Sequence, residues 1–346
     1  MGTNLTPIIV KHVSTLKSLK GRSLAVDGNN YLYQFLALIR MPDGSPLRDS
    51  KGNITSHLTG LLFRTTRLMC EYRMRLVFVF DGTPPVLKNA EIHRRRAIRQ
   101  KAQEEWRQAK EAGDYRKAFS KAVVSSRLTR PMIEDSKRLL RLLGISVIQA
   151  PGEAEAQAAL IARKKDVWAA SSKDYDALLF GTPRLVRFLT ITGREFLPSK
   201  GSFRILRPEI ICLKELLEKC GITREQLVDL AILVGTDFNS GIKGIGPKKA
   251  LKLVKAHVKL ENMPSALRDE LPSNYESIRK AFQEPDVDES YSIDFCELQE
   301  ENVYQFLCEE RDFSPERVRT AIERMKRCQW QDMQSGLDEW MGGSAD

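Results

Sequence analysis

The sequence predicts an α/β fold in which a mostly parallel central sheet is covered by helices. Short apolar runs of strand length alternate with helix-forming stretches, the pattern of strands that are buried on both faces. The chain has 346 residues, of which 42% are hydrophobic, so it can bury a substantial core. We expect one domain over residues 1–330, followed by a short tail over 331–346.

Four predicted strands lie in the first half of the chain. Each is a short apolar run that ends at a turn or at a polar residue. Helix-forming stretches over 31–39 and 154–163 follow the first and the third of these runs. The predicted strands are 23–26, 76–80, 145–148 and 167–170.

Each predicted strand is followed by carboxylates at or just beyond its carboxyl end. Parallel strands bring these ends to one sheet edge, where α/β proteins bind ligands, so we expect the acids to converge. Up to six carboxylates in one cleft require counter-charge, and a donor set of oxygens favours one or two Mg²⁺ or Mn²⁺ ions over zinc. The candidate metal ligands are Asp27, Asp81, Glu153, Glu155, Asp174 and Asp176.

Several classes of protein are excluded by the sequence. The run 77–83 resembles the strand motif of the haloacid-dehalogenase phosphatases, but Val79 stands where their nucleophilic aspartate would be. The six cysteines form no CxxC pair, which argues against a zinc site. No apolar run reaches the length of a membrane-spanning helix, so no membrane partner is expected.

Basic residues are concentrated in two segments, which indicates a polyanionic partner such as nucleic acid. The net charge is +10, and between Lys88 and Arg130 there are 13 Lys or Arg against 5 Asp or Glu. We call residues 84–130 the arch segment, because a basic helical insertion here would arch over the acidic sheet edge. Its candidate phosphate-binding residues are Lys88, Arg94, Arg95 and Arg99.

The second basic segment contains a glycine-rich turn between two helix-forming stretches, over roughly 227–259. Its glycines and Pro247 predict a tight turn that presents backbone N–H groups to a phosphate at the start of the next helix. Such a helix–hairpin–helix element binds duplex DNA without reading its sequence. The candidate DNA-binding residues are Gly241, Lys243, Gly244, Gly246, Lys248 and Lys249.

Seven motifs are spread along nearly the whole chain. They are AVDGNNYLYQFL (25–36), TSHLTG (55–60), VFVFDGTPPVLK (77–88), APGEAEAQAA (150–159), SSKDYDALLFG (171–181), GTDFNSGIKGIGPKKAL (235–251) and QSGLDEWM (334–341). Together these motifs resemble those of the flap endonucleases, members of the structure-specific 5′ nuclease family. The resemblance implies a Mg²⁺-dependent enzyme that removes 5′ DNA flaps by two-metal phosphodiester hydrolysis in replication (lagging-strand maturation) and repair, with 5′–3′ exonuclease activity.

The resemblance also implies roles for individual residues. It adds Asp237 to the metal ligands, with Asp174, Asp176 and Asp237 at one ion and the other four acids at the second. It makes Lys88 and Arg95 the catalytic cations of the arch segment, and Tyr33 an aromatic residue that packs against DNA. It further implies a K⁺ ion held by carbonyls of the 238–246 turn.

The tail resembles the peptide by which this family binds a DNA sliding clamp of the PCNA type. Gln, an aliphatic residue three positions later and two large apolar residues beyond it are its signature, here Gln334, Leu337, Trp340 and Met341. No long basic extension follows, which is more typical of archaeal members. We therefore expect a location in the cytoplasm of an archaeon, or in the nucleus if the source is eukaryotic. We also expect a monomer.

Three alternatives share parts of this pattern. A 5′ exonuclease or Holliday-junction resolvase of the same superfamily would share the acids and the helix–hairpin–helix element, but not the arch segment and the tail motif. An RNA-cleaving nuclease with a similar sheet should lack the glycine-rich turn. A non-catalytic DNA-binding scaffold would have lost some of the seven acids, all of which are present.

Overall fold

A central β-sheet organises the molecule. The computed structural model describes the backbone of residues 2–189, 193–197 and 202–342, and the side chains of 2–189 and 206–328. Within these residues the sheet consists of β1 (His12–Val13), β2 (Ser23–Asp27), β3 (Arg75–Phe80), β4 (Val147–Gln149), β5 (Ala169–Ser171), β6 (Arg184–Arg187) and β9 (Glu209–Cys212). A separate antiparallel hairpin is formed by β7 (Gly193–Leu197) and β8 (Ser202–Leu206).

The sheet is mostly parallel, which confirms the predicted fold class. Its strand order is β1-β9-β6-β5-β2-β3-β4, and only the β6–β9 and β9–β1 pairs are antiparallel. The predicted strands at 23–26 and 76–80 match β2 and β3, whereas β4 and β5 begin two residues later than predicted. The antiparallel edge was not predicted, because β1 is only two residues long and β9 alternates buried with half-buried residues.

Helices cover both faces of the sheet. In the described part of the chain they are α1 (Gly28–Leu38), α2 (Ser56–Gly60), α3 (Thr66–Tyr72), α4 (Asn89–Glu111), α5 (Tyr115–Val124), α6 (Arg130–Leu142), α7 (Ala154–Arg163), α8 (Asp176–Leu179), α9 (Leu213–Cys220), α10 (Arg224–Val234), α11 (Pro247–His257), α12 (Ser265–Arg268), α13 (Tyr275–Gln283), α14 (Glu300–Tyr304) and α15 (Pro315–Gly342). A π-helical turn over Leu61–Thr65 joins α2 to α3. No helix among the described residues is long and apolar enough to span a bilayer.

Two apolar cores lie on opposite faces of the sheet, because successive side chains of a strand point to opposite sides. Ala25, Val77 and Val79 pack with α7, α8 and α10 in the first core. Leu24 and Phe78 pack with α1, α3 and α6 in the second. The central strands are thus held rigidly from both sides, and their carboxyl ends share one edge.

The arch segment forms a helical hairpin beside that edge. The long helix α4 ends at Glu111, Gly113 adopts a left-handed conformation with φ of 71°, and α5 runs back along α4. Asp114 caps α5 by accepting a hydrogen bond from the N–H of Lys117 at 2.9 Å. An ion pair of 2.8 Å between Lys110 and Asp43 ties the far end of α4 to the loop after α1.

Residues 224–257 form the helix–hairpin–helix element as α10, a turn and α11. A capping box at Thr223 begins α10, and Pro247 occupies the first position of α11, as predicted. Arg279 on α13 makes a 2.7 Å ion pair with Asp229 of α10, which anchors the element to the rest of the chain.

The backbone of the tail continues α15 to Gly342. The side chains of the residues proposed to bind a sliding clamp lie outside the described residues; they are Gln334, Leu337, Trp340 and Met341.

Candidate active site

The sheet brings carboxylates from separate strands to one edge. Asp27 is the last residue of β2, Asp81 follows β3, Glu153 precedes α7, and Asp174 follows β5. The two remaining acids of the predicted set, Glu155 and Asp176, lie in the first turns of α7 and α8. The strand-end pattern in the sequence therefore corresponds to one cleft.

A close approach of two loops sets the position of Asp81 relative to α7. The N–H of Gly82 donates to the carbonyl of Gly152 at 2.7 Å, and a Cβ placed on Gly82 would lie 2.1 Å from the carbonyl oxygen of Pro151. Only glycine permits this contact. It allows Oδ1 of Asp81 to accept a hydrogen bond from the N–H of Ala154, 2.8 Å away, at the start of α7.

Two asparagines that the sequence analysis did not identify hold the acids in place. Asn29 Nδ2 donates to Asp81 at 2.5 Å, and Asn30 Nδ2 donates to Asp174 at 3.1 Å. The backbone N–H of Asn30 also donates to Asp27 at 3.0 Å, which caps α1. The sequence did contain a signal for these two residues: they are consecutive asparagines that directly follow the strand-end motif Asp27-Gly28.

Burial and mutual repulsion disfavour the charged form of these acids. Burial raises the pKa of Asp27 and of Glu155 well above the usual range, and repulsion from neighbouring carboxylates adds to this effect. Burial, followed by repulsion from Asp237 and Asp174, raises the pKa of Asp176 to about 7. The cleft therefore carries a repulsion of like charges that a bound cation would relieve.

Asp237, which the family resemblance added to the acids, reaches the cleft from a different element. It follows α10 in the loop that begins the turn of the helix–hairpin–helix element, and it is 8% exposed. Its carboxylate repels that of Asp176, so it lies in the same cluster. One residue thus connects the acids of the sheet edge with the helix–hairpin–helix element.

The start of the arch segment brings two cations into the cleft. Lys88 Nζ lies 2.6 Å from Oε1 of Glu153 and 3.6 Å from Oδ2 of Asp237. Arg95 Nη2 lies 2.6 Å from Oδ1 of Asp237, while its Nε contacts Glu91 at 2.7 Å. Burial lowers the pKa of Lys88, but the two carboxylates more than offset this and raise its pKa above the usual value. Both side chains are therefore positively charged.

The donor set fits a hard divalent cation. Every acid of the cleft offers oxygen, and Oε1 of Glu155 is buried without a hydrogen-bond partner among the described residues. No three His, Cys, Asp or Glu side chains in that part of the chain form a ready ligand set for one ion. Lys88 and Arg95 supply counter-charge to two of the acids, Glu153 and Asp237.

The other predicted residues of the arch region face the space beside the cleft. Arg94 is exposed and makes a two-point contact with Glu91, at 2.6 and 2.7 Å. The guanidinium of Arg99 lies over the ring of Tyr33, 5.4 Å from its centroid. A cavity of about 270 Å³ opens here between α1 and the arch segment, lined by Asn30, Tyr33, Gln34, Arg99, Val123 and Lys173 among others.

The glycines of the helix–hairpin–helix turn differ in what surrounds them. A Cβ placed on Gly241 would lie 2.3 Å from the carbonyl oxygen of Val234, so packing within the chain requires glycine there. Nothing lies within 4 Å of a Cβ placed on Gly244 or Gly246, and these positions are open to a ligand backbone. The lysines beside them are exposed, namely Lys243, Lys248 and Lys249.

The fold and the cleft define a nuclease of the XPG class. Residues 1–102 match the XPG N-terminal domain, and residues 144–237 match the XPG I-region. The flap endonuclease 1 of Hyperthermus butylicus is 48% identical over 99% of both chains. The chain therefore belongs to the flap endonuclease family.

Solved structures agree with this assignment. The flap endonuclease-1 of Methanococcus jannaschii superimposes with a TM-score of 0.75 at 39% identity, over 94% of this chain and 98% of that chain. The catalytic core of Rad2 in complex with DNA substrate has a TM-score of 0.66 at 22% identity, over 93% of this chain and 97% of that chain, which shows a shared fold.

Proposed function

We propose that this protein is a structure-specific nuclease that cuts DNA where a 5′ single-stranded flap leaves the duplex, in replication and repair. The main support for this proposal is that seven carboxylates and the cations Lys88 and Arg95 meet in one cleft. This cleft lies between a basic helical hairpin and a helix–hairpin–helix element. Such a site can bind a phosphodiester and metal ions together. The acids by themselves would repel a phosphate.

Two Mg²⁺ ions are the proposed cofactors, and Mn²⁺ has the same preference for oxygen ligands. Metal ions of this kind activate a water molecule and stabilise the leaving oxygen. Asp27, Asp81, Glu153 and Glu155 would hold one ion, and Asp174, Asp176 and Asp237 the other. Lys88 and Arg95 would exchange their acid partners for the scissile phosphate and offset its developing charge.

The duplex would lie along the helix–hairpin–helix element, held by its backbone rather than by its base sequence. The N–H groups near Gly244 and Gly246 and the lysines at 248 and 249 would contact phosphates at the start of α11. Tyr33, backed by Arg99, would stack on a base beside the cleft. Carbonyls of the 238–246 turn are the proposed K⁺ ligands, where Gly241 has a φ of 72°.

The test is cleavage of a labelled double-flap DNA by the wild-type chain and by Asp174→Ala. Asp174 is only half-buried, and we expect the variant to fold and to bind the flap in Ca²⁺. Its single-turnover rate in Mg²⁺ should fall by at least about 10³-fold, because several kcal/mol of transition-state stabilisation depend on the metal. The exposed acid Asp269 provides the control Asp269→Ala, which should cut at the wild-type rate. Equal rates for all three proteins would contradict the metal assignment.

The preferred substrate is identified by comparing the cleavage rates of three DNAs of equal length: a double flap, a nicked duplex and a Holliday junction. A 5′ exonuclease should degrade a nicked duplex as fast as it cuts a flap, and a resolvase should prefer a Holliday junction. We expect the double flap to be cut fastest, with slower 5′–3′ exonuclease activity at the nick. A scaffold without catalysis would bind all three DNAs and cut none.

We further propose that the tail binds a DNA sliding clamp through Gln334, Leu337, Trp340 and Met341. An aromatic residue and a leucine three positions apart share one side of a helical turn and can fill an apolar pocket. Calorimetric titration of the DNA sliding clamp from the same organism, with the full chain and with a 334–346 deletion, tests this interaction. Equal affinities would remove the sliding clamp as a partner.

Because the matched relatives are archaeal, the proposed compartment is the cytoplasm, and the proposed state is a monomer.

A further inference from the structure

The first residues of the chain reach into the carboxylate cleft. The backbone N–H of Thr3 donates a hydrogen bond to Oδ1 of Asp176 at 2.8 Å. Thr3 is 2% exposed and Asp176 is 3% exposed, so the contact is shielded from water. The hydrogen bond therefore holds the Asp176 carboxylate in one orientation inside the cleft.

Gly2 packs against the same carboxylate. A Cβ placed on Gly2 would lie 2.6 Å from Oδ2 of Asp176 and 2.8 Å from its Cγ. Asp176 is buried and bonded to Thr3, so it cannot turn away from such a group without losing that hydrogen bond. A glycine at position 2 is thus required by the position of one acid in the cleft.

The hydroxyl of Thr3 is buried and has no hydrogen-bond partner among the described residues. It is three covalent bonds from the amide nitrogen that contacts Asp176, so it lies in the same small volume. Asp176 is also the acid that repels Glu155 most strongly, so a ligand bound here would lie among several carboxylates. Buried polar atoms are almost always satisfied, so the unpartnered hydroxyl of Thr3 beside Asp176 points to a missing ligand.

We propose that Thr3 is a further residue of the divalent-cation site: its N–H orients Asp176, and its hydroxyl gives the cation or a water of its hydration shell one more oxygen partner. The inference rests on the metal-dependent function proposed above. Mg²⁺ and Mn²⁺ keep several waters when bound, and groups that orient the ligands and these waters tune the affinity.

The test is calorimetric titration of Mn²⁺ into the DNA-free full chain, using Thr3→Val, Thr3→Ser, Gly2→Ala and Asp174→Ala. Thr3→Val keeps the shape and the N–H but removes the hydroxyl, and we expect about tenfold weaker binding at one site. Thr3→Ser restores the hydroxyl and should bind within about twofold of wild type. Gly2→Ala should also weaken binding, since it displaces Asp176.

Thermal unfolding in EDTA gives a second readout that does not depend on metal. Removal of a buried hydroxyl without a partner should leave the Tm of the metal-free protein unchanged or higher. A lower Tm of Thr3→Val together with wild-type Mn²⁺ affinity would make Thr3 a structural residue and overturn the inference. If Asp174→Ala also bound Mn²⁺ like wild type, the metal assignment itself would fail, which is a different result.

Discussion

Lys88 Nζ lies 2.6 Å from Oε1 of Glu153, so the first cation of the arch segment is paired with an acid at the start of α7. Arg95 makes the equivalent contact with Asp237 at 2.6 Å. The two cations proposed to contact the scissile phosphate are therefore bound to acids proposed to contact metal. On the proposed function, metal binding would compete with these ion pairs and would free both cations for the substrate.

Replacement of Lys88 by methionine should have opposite effects on metal binding and on catalysis. In the DNA-free chain, Lys88→Met removes a competitor for Glu153, and Mn²⁺ affinity should rise by roughly fivefold, or about 1 kcal/mol. The single-turnover cleavage rate should fall by about 10²–10³-fold, because a charge that stabilises the transition state is removed. Calorimetry and rapid-quench kinetics measure the two effects.

Lys101→Met is the matched control for this prediction, since Lys101 is an exposed lysine on the same helix α4. It should leave the Mn²⁺ affinity and the rate of the chemical step unchanged. Weaker Mn²⁺ binding in Lys88→Met would show that Lys88 organises the ligands rather than competing with the ion.

Asn30→Ala should weaken metal binding without removing a ligand. Its side chain donates to Asp174 at 3.1 Å, and Gln34 in turn donates to Asn30 at 2.5 Å. Loss of such an orienting group costs about 10–100-fold in metal affinity. The cleavage rate should then be restored by raised Mg²⁺, whereas that of Asp174→Ala should not. Asn262→Ala, at an exposed asparagine, is the control. A rate defect that no Mg²⁺ concentration repairs would place Asn30 in the chemistry itself.

The lysines at the start of α11 should contribute to duplex binding but not to chemistry. Lys248→Ala with Lys249→Ala should weaken flap-DNA binding and reduce the slope of log K against log salt by about 1 for each phosphate that is no longer neutralised. The rate at saturating enzyme should stay near wild type. Lys17→Ala with Lys20→Ala also removes two exposed lysines, here before the amino end of β2, and should keep the wild-type slope. Identical slopes in all variants would argue against phosphate binding at α11.

The buried histidine of α2 should make stability depend on pH. His57 is fully buried, and burial, with a smaller contribution from Arg311, lowers its pKa to about 3. The unfolded chain binds a proton near pH 6.5 and the folded chain does not, so stability decreases as the pH falls from 6.5 towards 3. The free energy of unfolding of wild type, relative to His57→Leu, should fall by about 1.4 kcal/mol per pH unit in that window.

The buried carboxylates of the cleft have raised pKa values and act with the opposite sign, but they are present in both proteins and cancel in the difference. Urea unfolding in EDTA at several pH values measures this difference in the free energy of unfolding. His93→Gln, at an exposed histidine of the arch segment, should follow wild type at every pH. A difference between wild type and His57→Leu that does not change with pH would contradict the shift.

The sequence by itself determined four central strands of the sheet, their mostly parallel arrangement and the edge at which the acids meet. These features depend on local patterns: strands buried on both faces are continuous apolar runs, and residues that follow parallel strands share one edge. The start of α11 could be predicted from an equally local pattern. Pro247 has no backbone N–H to donate, and the first position of a helix needs none. The short antiparallel strand β1 escaped prediction, since two residues carry no pattern.

Only the tertiary structure decided which side chains meet. Lys88 could have pointed to solvent, yet it pairs with Glu153, and Thr3 binds Asp176, which lies 173 residues further along the chain. The sequence treated Gly241 and Gly244 alike, whereas packing against Val234 explains the first and open space surrounds the second. Such contacts join elements that are distant in the chain, and their geometry follows from how the two cores pack the helices against the sheet, which no local pattern encodes.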